Sequence, residues 1–213
     1  MTEQTAPGAA KHDGSARARA TRFTARDLLN VAIFAVIYFV IVFVIAMLGI
    51  ISPIAMLLTL PLSAIAAGIP YMLFLTRVRH AGPVALFGLV VGLLYLMVGH
   101  PWASTLLTIG LSVLAELILR AGGYRSAWAA IWAYTAFSAW FLGPWIPLFL
   151  DREEYLRSNG MTAMGAEYVA AFNETVTVPA VLGMVVLTVL CGFLGALLGT
   201  RLLRKHFARA GLA

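Results

Sequence analysis

The sequence predicts an all-α integral membrane protein, a bundle of six transmembrane helices with both termini in the cytoplasm. Three observations carry this. Of the 213 residues, 62% are hydrophobic and only 11% are charged, and the mean hydropathy is +0.92. Soluble domains are about 45–50% apolar and about 25% charged, and a soluble globule of this size has too little interior for the surplus. A disordered chain is excluded too, since disorder needs low hydrophobicity and high charge. Next, apolar runs near the roughly 20 residues that cross a bilayer recur along the chain, punctuated by Gly, Pro and Arg. Last, the basic residues fall almost entirely where one face of such a bundle would be.

The elements follow in order. Residues 1–26 are polar and Ala-rich, with Lys11, Arg17, Arg19, Arg22 and Arg26, and read as a cytoplasmic tail. The run behind them exceeds the roughly 7–15 apolar residues of a cleaved signal, so it reads as a retained anchor. The transmembrane domain covers 27–205. Its first span, 28–50, ends at the Gly49–Pro53 turn, and its second, 54–76, stops at Arg77-Val78-Arg79-His80. Pro61 and Pro70 predict kinks in the second, which membrane helices tolerate when neighbours satisfy the freed carbonyls. The third span, 83–98, turns at Gly99-His100-Pro101. The fourth, 102–119, stops at Arg120-Ala121-Gly122-Gly123, with glycine at the helix end. The fifth covers 127–150, an outer loop covers 151–175, and the sixth span covers 176–203, before a short cytoplasmic tail, 206–213.

An even number of spans puts both termini on one side. Only Arg152 and Arg157 of the 15 Lys and Arg lie opposite the termini, so the termini are expected inside. The net charge of +6 thus goes to orientation, and no nucleic-acid partner is expected. Cys191, the single cysteine, has no partner for an internal disulfide or a Cys-rich metal site. Walker A, HExxH and GxSxG patterns are absent. Glu153-Glu154-Tyr155-Leu156-Arg157 only faintly resembles the Glu-Glu pair of intramembrane CAAX-type proteases. It sits in a loop, its arginine is one residue short, and no paired histidines follow, so no enzyme activity is expected.

The scarce polar residues inside the spans are the informative ones. Ser104, Thr108, Ser112 and Glu116 stand four apart on one face of the fourth span. They read either as a polar lining for a substrate or proton, or as structure, with Glu116 pairing Arg120 one turn on. The fifth span is crowded with Trp128, Trp132, Tyr134, Phe137, Trp140, Phe141, Trp145 and Phe149. Interface belts explain those at its ends; the stripe Tyr134, Ser138, Phe141, Trp145 suits either packing or a flat organic ligand. In the outer loop, 161–172 reads as a short interfacial or pocket-covering helix. His100 beside Trp102 reads as an exposed turn histidine or a polar ligand contact. Small residues permit close helix contact: Ser63, Ala64, Ala66, Ala67 and Gly68, the Gly88/Gly92 pair, Gly192, Gly195, Ala196 and Gly199, and Ala32 with Ala35. These serve internal packing or, on spans one to three, a partner subunit.

Six spans in about 200 residues, cytoplasmic termini and no ATPase motif resemble the substrate-binding (S) component of an energy-coupling factor (ECF) transporter. Gly99-His100-Pro101-Trp102, Ala115-Glu116-Leu117-Ile118-Leu119 leading into Gly122-Gly123-Tyr124-Arg125-Ser126, the opening Asp27–Ala35 segment and Tyr134 to Phe137 are similar to the MptD-like (Trep-Strep) family of S components. That resemblance spans about 22–205. It implies a prokaryotic plasma-membrane protein that captures a small organic micronutrient, a vitamin or precursor, from outside. Delivery would need a transmembrane T component and two ATPases; ATP would be used by those partners, and this chain would hold no cofactor or metal. The family's outer-half ligand site points to His100, Trp102, Ser104, Thr108, Trp140, Phe141, Trp145, Asn173 and Glu174. Its partner-coupling small residues point to Ala32, Ala35, Ser63 and Ala67, although Val36 stands where an Ala-x-x-x-Ala pattern has its second Ala. The resemblance favours a structural or gating role for Glu116 with Arg120. A self-standing proton-coupled carrier or channel built on the Ser/Thr/Glu ladder is the alternative, and a ligand-free membrane scaffold a third reading.

Overall fold

The computed structural model describes residues 23–209, with side chains to Leu203, and these residues are helical with no strand among them. Of the two expected tails, residues 1–22 and 210–213 lie outside the described residues.

Helix α1, Ala25–Ala46, continues as a 3₁₀ turn over Met47–Ile50. It begins inside the expected tail because Thr24 and Asp27 form a reciprocal capping box, each side chain accepting the other's backbone N–H. Asp27 also pairs with His80 at 3.2 Å, tying the start of α1 to the turn after α2. Helix α2, Pro53–Arg77, is capped by Ser52 and runs through both Pro61 and Pro70. Helices α3, Pro83–Met97, and α4, Trp102–Ala121, follow. The last helix, named α10 below, runs from Val178 to Arg209, past the expected domain end at 205.

Four helical stretches are long and apolar enough to cross a membrane: Ala25–Ile50, Pro53–Arg77, Trp102–Ala121 and Val178–Leu203. Helix α3 has 15 residues, about 22 Å at 1.5 Å per residue, against a hydrocarbon core of about 30 Å. The fifth segment is not one α-helix. It comprises α5, Ala127–Phe137, a 3₁₀ stretch Ser138–Trp145, and α6, Ile146–Leu150. Pro144 explains the change, since it offers no N–H to the carbonyl of Trp140 and its ring crowds that turn.

The segment 151–175 folds into α7, Arg152–Leu156, α8, Asn159–Thr162, and α9, Ala166–Thr175. The pocket-covering helix read over 161–172 is thus split, and α9 supplies its second half.

The six main helices pack in a ring: α1 on α3, α3 on α4, α4 on α5, α5 on α10, α10 on α2, and α2 back on α1. Aromatic rings fill its centre. Tyr38, Tyr71, Phe74, Phe87 and Phe137 are all wholly buried; Tyr71 stacks on Phe137 at 5.4 Å and Tyr38 meets Phe87 edge-on at 5.5 Å. Small residues let the backbones close. A Cβ on Gly68 would lie 2.6 Å from the Gly195 carbonyl carbon, and one on Gly195 would lie 2.7 Å from the Ala64 carbonyl oxygen. Here α2 and α10 touch backbone to backbone.

Candidate functional site

The bundle has two chemically different ends. One carries Arg79, Arg120, Arg125 and the end of α10. The other carries the 99–102 turn and the cap formed by α7 to α9.

At the cap end, a cleft of about 540 Å³ lies between the Gly99–Ala103 segment, Pro144 to Asp151, Tyr155 and Ser158. That volume suits a small organic ligand, since such sites commonly span about 300–1,000 Å³. His100 and Trp102 line it directly; Trp102 is 69% exposed and forms its rim. The His100 ring packs against Tyr95 at 4.7 Å, its backbone N–H is bonded to the Tyr95 carbonyl, and its Nδ1 is buried without a partner. Burial pushes its imidazole down to about 4, which leaves it neutral at pH 7.

Behind the cleft wall lie two more buried polar atoms without partners, Ser104 Oγ and Trp145 Nε1. Ser104 sits against Gly143, where a Cβ would be 2.9 Å from the Ser104 Cα. Trp145 follows Pro144, which lines the cleft, and stacks on Phe172 at 6.4 Å, which in turn stacks on Tyr155 at 5.8 Å. Buried polar groups in folded proteins are nearly always bonded, so each orphan calls for an explanation. The fourth such atom among the described residues, Tyr71 Oη, lies deeper in the aromatic centre.

The other expected ligand residues divide. Thr108 is buried, but its hydroxyl donates to the Ser104 carbonyl of its own helix. Trp140 is buried in the core and its indole N–H donates to the Tyr38 hydroxyl at 2.8 Å, with Phe141 stacked on it at 4.6 Å. Both rings are bundle packing; they do not line the cleft. Asn173 and Glu174 are exposed on α9, away from the cleft lining. Asn173 is engaged by Arg152, whose guanidinium donates to Asn173 Oδ1, the Asn173 carbonyl and the Val176 carbonyl at 2.8–3.0 Å. Arg152, read from sequence only as an outer charge, therefore clasps the two ends of the cap.

Glu116 is not paired with Arg120. Its carboxylate accepts the backbone N–H of Val84 and Ala85 at 3.0 and 3.1 Å and the Tyr124 hydroxyl at 2.8 Å. It caps the N-terminus of α3, where the helix dipole favours a negative charge. Ser112 donates to the Ile109 carbonyl as Thr108 does to the Ser104 carbonyl, so of the ladder's hydroxyls only that of Ser104 is unspent. Gly88 packs directly on Ser112. Ser112 and Glu116 thus serve the α3–α4 contact, and Glu116 has a structural place in it.

The expected partner-coupling residues divide likewise. Ala35, Ser63 and Ala67 are buried inside the bundle, where they allow close packing and present nothing outward. Ala32 is exposed on α1, on a face with Ile33, Val36, Ile37, Val40 and Val44. Trp132, inside the fifth span by sequence, faces outward against Phe193 at 5.4 Å.

Residues 25–209 match a family described as a hypothetical bacterial integral membrane protein, Trep_Strep. No curated protein and no solved structure matches the chain.

Proposed function

The chain belongs to the Trep_Strep family of bacterial integral membrane proteins, and from that premise we propose that it is the substrate-capture subunit of an ECF-type importer, taking a small organic micronutrient from outside the cell. All six main helices would cross the membrane, with both termini cytoplasmic and the cap outside. The observation that carries the reading is the capped cleft lined by His100, whose Nδ1 is buried without a partner, with two further unpartnered polar atoms on Ser104 and Trp145, next in sequence to the lining residues Ala103 and Pro144. An aromatic and apolar enclosure with a few unspent hydrogen-bonding atoms is the usual make-up of a small-molecule site. The unspent set is a hydroxyl, an indole donor and a neutral imidazole, which favours a neutral or weakly polar planar compound over an inorganic ion. The exposed apolar face of α1 around Ala32 is the surface for a membrane-embedded T component, which would recruit two ATPases.

A proton-coupled carrier built on Glu116 has less support, because the carboxylate is fully engaged in capping α3.

Purification from native membranes is the test. It should recover a T subunit and two ATPases, and the isolated chain should retain an organic compound identifiable by mass spectrometry. Ser104→Ala should lower retention about three- to tenfold, the weight of one neutral hydrogen bond, with unchanged thermal stability, and Trp145→Phe, which also trims a buried ring, should lower both retention and melting temperature. Recovery of neither partner nor compound, or uptake in liposomes driven by a proton gradient alone, would overturn the reading.

A further inference from the structure

At the arginine-bearing end a second cavity, of about 450 Å³, opens between the end of α2, the α4–α5 turn and α10. Its inner walls are apolar, formed by Met72, Leu75, Leu119, Ala130 and Leu203, while Arg79 and Arg125 line it from the outside. Neither arginine has a carboxylate partner among the described residues, where the only ion pairs are His80–Asp27 and Arg157–Glu153. Glu116 approaches this end, but its oxygens are committed to Val84, Ala85 and Tyr124. At the turn beside it Tyr124 has a φ of 57°, a left-handed conformation uncommon for a bulky residue. The 11-residue helix α5 starts at the cavity too, with Ser126 as its cap and Ala127 in the lining, which adds the positive end of its dipole.

We propose that this cavity seats an anionic phospholipid, its phosphate between Arg79 and Arg125 and its upper chain segments on the apolar walls. Two unpaired guanidinium groups and a helix N-terminus match a phosphate. The apolar walls distinguish a lipid from a free phosphate, because they would remain exposed around a soluble anion. The level fits as well: apolar α2 ends at Arg77 and α4 at Ala121, with Arg120 in its last turn, where hydrocarbon gives way to head groups. Basic pockets between membrane helices are established head-group sites in general. This inference does not depend on the transport reading.

Full-length protein in a maltoside detergent would be titrated with phosphatidylglycerol, phosphatidylcholine and glycerol phosphate, and retained adducts read by native mass spectrometry. Phosphatidylglycerol should be retained well over phosphatidylcholine, and glycerol phosphate should not bind measurably. The Arg79→Gln/Arg125→Gln double variant should lose about thirtyfold in phosphatidylglycerol retention, while Arg79→Lys/Arg125→Lys keeps most of it. Ala130→Trp, which fills the apolar wall and leaves both arginines, should lose retention as well, and decides the matter if the double variant does not fold. Equal retention of both phospholipids, glycerol phosphate binding as tight as the lipid, or wild-type retention by Ala130→Trp would each overturn the proposal. Partner recovery from native membranes is read separately, so failure here leaves the transport reading standing.

Discussion

Glu116 shows how a carboxylate inside an apolar bundle can be given entirely to architecture. It accepts two backbone N–H groups at the start of α3 and one phenol, so its charge is met by donors that helix α3 would otherwise leave unpaired. Glu116→Gln should destabilise the protein by about 1.5–3 kcal/mol, the weight of a hydrogen bond to a charged group. Thermal unfolding in detergent measures it, and ligand retention by the folded variant should be unchanged. His100 sets a different expectation. Its pKa is pushed down from 6.5 to about 4 by burial, so between those values the unfolded chain binds a proton that the folded chain does not. Stability is therefore full above about pH 6.5 and declines as the pH falls toward 4. His100→Gln should flatten that acid limb of a melting-temperature profile.

At the scale of elements, the fifth segment and the cap depend on one another. The 3₁₀ stretch brings Trp145 under Phe172, and α9 holds Phe172 in place. Arg152 closes the cap with three hydrogen bonds to Asn173 and Val176. Arg152→Ala should raise hydrogen exchange across 151–175 with little change in the bundle helices, and should speed release of any retained compound. The α2–α10 contact is less forgiving. A side chain at Gly195 meets backbone atoms of Ala64 and Ile65, which no rotamer change relieves. Gly195→Leu should cost about 1–3 kcal/mol or more through overpacking, or prevent stable purification altogether; size-exclusion profiles report either.

For the whole molecule, the charge asymmetry makes a topological prediction. In a Cys191→Ala background, a cysteine at Glu154 should react with an impermeant maleimide in intact cells, and one at Gly123 only after permeabilisation. Labelling of both from outside would contradict six crossings with internal termini. Much of the helical layout was legible in the sequence, because apolar runs and Gly/Pro/Arg punctuation are local features. The turns at Ser52-Pro53, Gly99–Pro101 and Gly122–Ser126 stand where those residues place them. The candidate site was legible only in part. His100 and Trp102 line the cleft at the cap end, yet Trp140 and Phe141 turn into the core.

Composition and order along the chain by themselves determined a helical membrane protein, since transfer free energy is summed over segments. Tertiary structure alone decided which polar atoms are spent. Glu116 met the amides of Val84 and Ala85, more than thirty residues away, instead of Arg120 one turn on; Trp140 found the Tyr38 hydroxyl across the bundle; Ala35 and Ala67 closed helix contacts within the ring instead of facing a partner. Hydrogen-bond satisfaction and burial depend on what packing brings within about 3 Å, and helical periodicity specifies a face without naming its neighbour.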